Sequence, residues 1–262
     1  MNSRYAITFG EVAILHIGGK EYKSKILKNG FSTEELIEFS NKYDNAEYIS
    51  LTDNLPNEHK EKNKAGVLIF RCSDNKVEEN YNLPLNELEA NNLYDEQKKV
   101  KYDKKYWDNR RKKTLNKRAR YNIVFGKKNV KNSKDYKQNT IKAFTSLKYL
   151  NKIRNNLKNI LGNKSRKLNA EGNYYFEDKS GIGFHGDSER KIVICLSLGK
   201  SSILRYNWRL PGSSDHTLEP IDIKVNHGDV YIMSEKATGN DWRLRSKVRL
   251  VHAAGNEKYI NK

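Results

Sequence analysis

The sequence predicts an α+β protein whose main body is a double-sheet antiparallel barrel or jelly roll. Three observations carry this. From Leu168 onward, eight short strand-like runs alternate with Gly, Pro, Asn and Asp turns and show no helical pattern. Just before them, Leu147, Leu150, Ile153, Leu157 and Ile160 recur every three or four residues, the period of one amphipathic helix. The first 97 residues mix β-branched runs with a capped helix, which reads as a small α+β unit of its own.

In chain order, strands are expected over 6–17, 47–51 and 67–72. Gly18-Gly19 would turn the first of these into a partner over 20–27. Ser32 and Glu35 have the spacing of a capping box, and Leu36 and Phe39 supply an apolar face, so a short helix should run over 33–43. Residues 54–64 read as a loop, and 74–97 as a polar link. The amphipathic helix covers Lys148–Leu161, with Gly162 at its C-terminal cap and Lys148, Lys152, Arg154 and Lys158 on its outer face. The strands of the main body fall at 172–176, 182–185, 191–198, 202–208, 220–225, 229–233, 247–253 and 257–260.

The chain has 262 residues, net charge +18, 36% hydrophobic residues and mean hydropathy −0.90. No stretch approaches the roughly 18 apolar residues of a membrane span, and no signal-peptide layout opens the chain. Cys72 and Cys195 cannot staple a secreted scaffold. A soluble intracellular monomer of cytoplasm or nucleus is expected, without a membrane partner.

Charge is uneven. Residues 1–97 carry net −6, residues 98–167 net +22 and residues 168–262 net +2. The middle block interleaves Tyr102, Tyr106, Trp107, Tyr121 and Tyr136 with basic runs such as Arg110-Arg111-Lys112-Lys113. A polyanion would release counterions on such a surface, and its exposed bases could stack on the aromatic rings. A solvated basic stretch or a nuclear-import signal is the plainer alternative. Nucleic acid is the favoured partner, with Arg110, Arg111, Lys112 and Lys113 as its contacts.

In Gly183-Phe184-His185-Gly186-Asp187, the histidine and aspartate stand two apart at a strand end and can share one face. His252 ends a later strand. Two imidazoles and one carboxylate make the facial triad of non-haem Fe(II) oxygenases, though a zinc hydrolase could use the same set. His216 lies in a Ser-Ser-Asp loop and His227 in a turn before Gly228, and neither reads as a ligand.

The surrounding residues narrow the choice. Asn173-Tyr174-Tyr175, then the stretch from Gly181 through His185-Gly186-Asp187-Ser188-Glu189, then Ser197-Leu198-Gly199, resembles the AlkB-like 2-oxoglutarate/Fe(II) dioxygenases. Leu204-Arg205-Tyr206, the stretch from His227-Gly228-Asp229 to Met233, and Val251-His252 extend the likeness. It covers 168–262, and loosely Ala119-Arg120-Tyr121-Asn122 and the amphipathic helix.

The resemblance implies a double-stranded β-helix (jelly-roll) dioxygenase domain over 98–262. Residues 98–167 would be its basic, nucleic-acid-binding extension, and 1–97 a separate acidic unit of unknown role. It implies Fe(II) on His185, Asp187 and His252, with 2-oxoglutarate and O2 as cosubstrates. Asn173 and Tyr175 would donate hydrogen bonds to 2-oxoglutarate, and Glu189, on the strand face of Asp187, would accept from an amine of a flipped base.

The expected activity is oxidative demethylation or hydroxylation of bases in DNA or RNA. A protein hydroxylase and a non-catalytic nucleic-acid-binding protein are the alternatives. One departure stands out. The family ends with Arg-x5-Arg on the strand after the second histidine, and the first Arg grips the far carboxylate of 2-oxoglutarate. Here no Arg follows His252. Lys258 is the expected substitute, ahead of Lys262, and Arg205, lining the pocket, is the runner-up.

Overall fold

Every second residue of Arg-Tyr-Ala-Ile-Thr-Phe-Gly is large and apolar, and Arg4–Gly10 forms strand β1. The computed structural model describes residues 3–15, 20–23, 29–74, 79–137, 140–176, 180–212, 218–255 and 257–261. The strand expected over 6–17 breaks at Glu11. Its carboxylate accepts from the N–H groups of Lys191 (2.6 Å) and Ile192 (3.0 Å), and β2 (Val12–Leu15) then pairs with β3 (Lys20–Lys23). The expected Gly18-Gly19 turn, His216 and Lys262 lie outside the described residues.

Helix α1 (Thr33–Ser40) starts at Ser32 with the expected capping box, and β4 (Ala46–Ser50) follows. A one-turn helix, α2 (Asn57–Lys60), precedes β5 (Gly66–Phe70). The expected polar link contains a helix, α3 (Glu87–Lys98), with its own capping box from Asn86 and Glu89. Its buried apolar side chains are only Ala90, Leu93 and Tyr94, too few to mark a helical stripe in the sequence.

The basic block folds as a hairpin, β6 (Lys105–Asp108) and β7 (Lys113–Asn116), then β8 (Tyr121–Gly126), β9 (Ile141–Ala143) and α4 (Lys148–Leu161). Gly162 closes α4 at φ 71°, a backbone angle that favours glycine. Seven strands follow: β10 (Asn169–Tyr175), β11 (Gly181–His185), β12 (Ile194–Gly199), β13 (Ser202–Arg209), β14 (Ile221–Val225), β15 (Val230–Met233) and β16 (Arg249–Gly255). The strand expected at 257–260 is instead a short helix, α5 (Glu257–Ile260), which packs on β11 and β16.

An eight-stranded sheet has the order β4-β5-β15-β12-β1-β10-β8-β9, and a four-stranded sheet the order β11-β16-β13-β14. Their pairings are antiparallel except β8–β9. The sheets face each other. Ala6, Tyr175, Cys195 and Tyr231 of the large sheet meet Leu204, Tyr206, Trp208, Ile223 and Leu250 of the small one. The other face of the large sheet, including Ile7, Phe9, Phe125, Leu196 and Leu198, carries Leu150, Ile153, Leu157 and Leu161 of α4.

Residue 97 is therefore not a boundary between two folded units. β1 lies between β10 and β12 along its length, and β5 pairs with β15. A strand needs partners for both rows of backbone groups, and β1 finds both of its partners in the C-terminal half. No helix among the described residues is long and apolar enough to cross a membrane.

Candidate metal centre and cosubstrate pocket

β11 and β16 bring two histidines together as a cross-strand pair. His185 stands opposite His252, their ring centroids 4.5 Å apart, next to a register shift between Ile182 and His185. Strand β11 ends at His185, so Asp187 reaches the cluster from a turn, with its N–H bonded to Thr238 O at 2.8 Å. Gly186 permits that turn. A Cβ there would meet Gly239 O and lie 2.8 Å from Trp242 Cβ. The ligand-type atoms of His185, Asp187 and His252 all lie within 4.8 Å of one another.

The electrostatics suit a cation. Burial depresses the pKa of His185 despite the nearby Asp187. His252 is pushed down to about 3, first by burial and then by His185. Burial alone would raise Asp187, but the charged Arg190 beside it outweighs that and holds the carboxyl below its usual range. At neutral pH all three groups are therefore unprotonated, as metal ligands must be. His185 Nδ1 lies 2.8 Å from Gly183 O, which assigns the proton to Nδ1 and the lone pair to Nε2. His252 Nδ1 is buried and makes no hydrogen bond of normal geometry among the described residues. This donor set fits a divalent metal.

A cavity of about 110 Å³ opens beside the cluster between the two sheets. Asn173 and Tyr175 line it with all three cluster residues. Asn173 Oδ1 accepts from Arg120 Nε (2.8 Å) and from Asn122 Nδ2, which assigns the amide flip and leaves its NH2 as the donor.

The two cations expected for the far carboxylate are elsewhere. Lys258 sits exposed on α5 and does not line the cavity, because the final segment coils into a helix. Arg205 points to the outer face of the small sheet. It forms a two-toothed pair with Asp222, both contacts at 2.6 Å, while its neighbours Leu204 and Tyr206 face the core. Glu189 is not on a strand with Asp187 and does not line the cavity; it pairs with Arg190 Nη2 at 3.1 Å. Burial raises its pKa to about 7, against the pull of Arg190. His227 Nδ1 accepts from Gly199 N (2.9 Å), a turn-holding role.

The structure adds residues that the motifs do not single out. Arg190, 6% exposed, sits between Asp187, Glu189 and Glu171. Arg4, from the far end of the sequence, lines the same cavity. The only signal for it in the sequence is a cation on the small-residue side of an apolar strand.

Two facing sheets with a buried His/Asp/His cluster and a lined pocket define the class of facial-triad metalloenzymes. Residues 74–238 match the sequence model of the 2OG-Fe(II) oxygenase superfamily. The chain is also 37% identical over 260 residues to the uncharacterized protein R156 of Acanthamoeba polyphaga mimivirus, across 97% of this chain and 96% of that one. The chain belongs to the 2OG-Fe(II) oxygenase superfamily and is an Fe(II)/2-oxoglutarate-dependent dioxygenase. The matched region includes His185 and Asp187 and stops before β16, which carries His252.

Proposed function

We propose that this dioxygenase is AlkB-like and oxidises bases of DNA or RNA, removing an N-methyl group or hydroxylating the base, on a double-stranded β-helix formed by the facing sheets. In this reading His185, Asp187 and His252 hold Fe(II), and Asn173 and Tyr175 donate to 2-oxoglutarate. With both bound, O2 and 2-oxoglutarate are consumed, succinate and CO2 leave, and one oxygen atom enters a C–H bond of the substrate. Arg190 keeps the Asp187 carboxylate charged, and Arg120 orients the Asn173 amide. Between the facing sheets Asp187 and His252 are buried and His185 is partly exposed.

The observation that carries the nucleic-acid reading is the continuity between the basic block and the pocket. β8 pairs with β10, and Arg120 at its start lines the cavity. The β6–β7 hairpin presents Arg110, Arg111, Lys112 and Lys113 exposed at its tip. A flipped base in the pocket would leave its flanking phosphates to such a surface. The test is succinate formation with methylated and unmodified DNA and RNA oligonucleotides, set against peptides. Stimulation by a methylated oligonucleotide is expected. Oligonucleotides that bind yet never stimulate turnover would refute the substrate, and stimulation by peptides alone would make it a protein hydroxylase.

A further inference from the structure

Arg4 is 7% exposed, lines the cavity, and has an Nε with no hydrogen-bond partner among the described residues. Its guanidinium lies over the ring of Tyr175, 4.6 Å from the centroid, and pairs with no carboxylate among the described residues. A cation–π contact of that kind offsets only part of what burying the ion costs. A buried guanidinium so placed is built to receive an anion.

We propose that Arg4 holds the far carboxylate of 2-oxoglutarate, so that a strand from the start of the chain selects a dicarboxylic cosubstrate. This rests on the dioxygenase reading of the His/Asp/His cluster.

The register fits a short molecule charged at both ends. Arg4, Ala6 and Thr8 of β1 face the pocket opposite Tyr175, Asn173 and Glu171 of β10. The metal end lies by Glu171, whose carboxylate is 3.8 Å from Arg190 Nη2, itself 3.3 Å from Asp187 Oδ1. Arg4 stands four residues from Thr8, about 13 Å along a strand at roughly 3.3 Å per residue. Between them Ala6 offers no bulk and Asn173 a donor, so a five-carbon diacid can lie along this face.

Chain path sets β1 beside the end of β16. β16 ends at Gly255 opposite Ile203, and β1 begins at Arg4 opposite Gly199. Ser3 O accepts from Lys200 N at 3.1 Å. Only the tight β12–β13 turn separates the end of β16 from the start of β1. β1 thus fills the place that a strand following β16 would take, and carries Arg4-x5-Gly10 there. A Cβ at Gly10 would lie 3.0 Å from Arg190 Cδ, so Arg190 occupies the space of a side chain at position 10. Arg4 and Arg190 thus bring two cations to this one strand face of the cavity.

The test is titration calorimetry on the Mn(II)-loaded protein with 2-oxoglutarate and with 2-oxobutyrate, which lacks the far carboxylate. The wild type should prefer 2-oxoglutarate by about tenfold or more, equivalent to about 1.4 kcal/mol. Arg4→Met should abolish that preference by weakening 2-oxoglutarate alone. Arg4→Lys, keeping the charge without the fork, should fall between. Should Arg4→Met not fold, Arg4→Lys and Ala6→Leu carry the test, the latter by obstructing the longer acid. An undiminished preference in these variants, or equal loss of both acids, overturns the role of Arg4 and leaves the metal site standing. A wild type that binds both acids equally overturns it too. A wild type that binds neither acid overturns the dioxygenase reading, and this inference with it.

Discussion

Replacing His252 by Gln should remove one specific part of the acid sensitivity of the metal-free protein. His252 is 5% exposed, and burial, reinforced by His185, moves its pKa from 6.5 to about 3. An unfolded imidazole takes up a proton near pH 6.5, whereas the folded one stays neutral. The stability that depends on neutral His252 is therefore complete above pH 6.5 and is lost as pH falls toward 3. At pH 5.5, one unit below the unfolded value, the loss is about 1.4 kcal/mol.

Glu189 acts in the opposite sense. Burial raises its pKa to about 7, so the folded chain takes up that proton first and gains stability as pH falls from 7 toward 4.5. The total pH dependence therefore mixes opposing contributions, and the difference between wild type and His252→Gln isolates the histidine. Urea unfolding in the presence of chelator, followed by the fluorescence of the three tryptophans, measures it at pH 7.5 and 5.5. The wild type should lose about 1.4 kcal/mol more than the variant over that interval. Equal losses would refute the picture of a buried neutral imidazole at position 252.

Three further outcomes are expected. His185→Ala or Asp187→Ala should abolish 2-oxoglutarate turnover with the fold intact by circular dichroism, since each removes one of the three residues proposed to hold the metal; full succinate yield would count against the cluster. Gly186→Ala should lower Tm and weaken Mn(II) binding seen by calorimetry, because a Cβ there runs into the Gly239 carbonyl beside the His/Asp/His cluster. Neutralising Arg110, Arg111, Lys112 and Lys113 together should flatten the slope of log K against log salt for single-stranded oligonucleotides by up to about four times 0.7, and calorimetry should find 2-oxoglutarate binding unchanged.

Much of the site is visible as local pattern. His185-x-Asp187 and Asn173-x-Tyr175 are short motifs whose spacing survives folding, and the pairing of β11 with β16 brings in His252. The helix over Lys148–Leu161 is equally plain, because Leu150, Ile153 and Leu157 repeat at the period that buries them against the large sheet. The strands of the last hundred residues follow from alternation and turn chemistry, except at 257–260, where four residues are too few for either period to show and the chain coils as α5. Helix α3 is hidden for a related reason: its capping box is a local signal, but its buried face includes Glu89 and Gln97 among few apolar residues.

What no local pattern reveals is which strands become neighbours. Alternation in Arg4–Gly10 puts Tyr5, Ile7 and Phe9 on one face and Arg4, Ala6 and Thr8 on the other. It does not say that β10 and β12 will flank them, and composition, acidic before residue 97 and basic after it, suggests a division where the sheet has none. Sheet hydrogen bonds join backbones regardless of distance along the chain. Arg4 therefore meets Tyr175 and the pocket only when β1 closes the sheet, while Lys258 and Arg205, nearer in sequence, are turned away by a helix and by the opposite face of a strand.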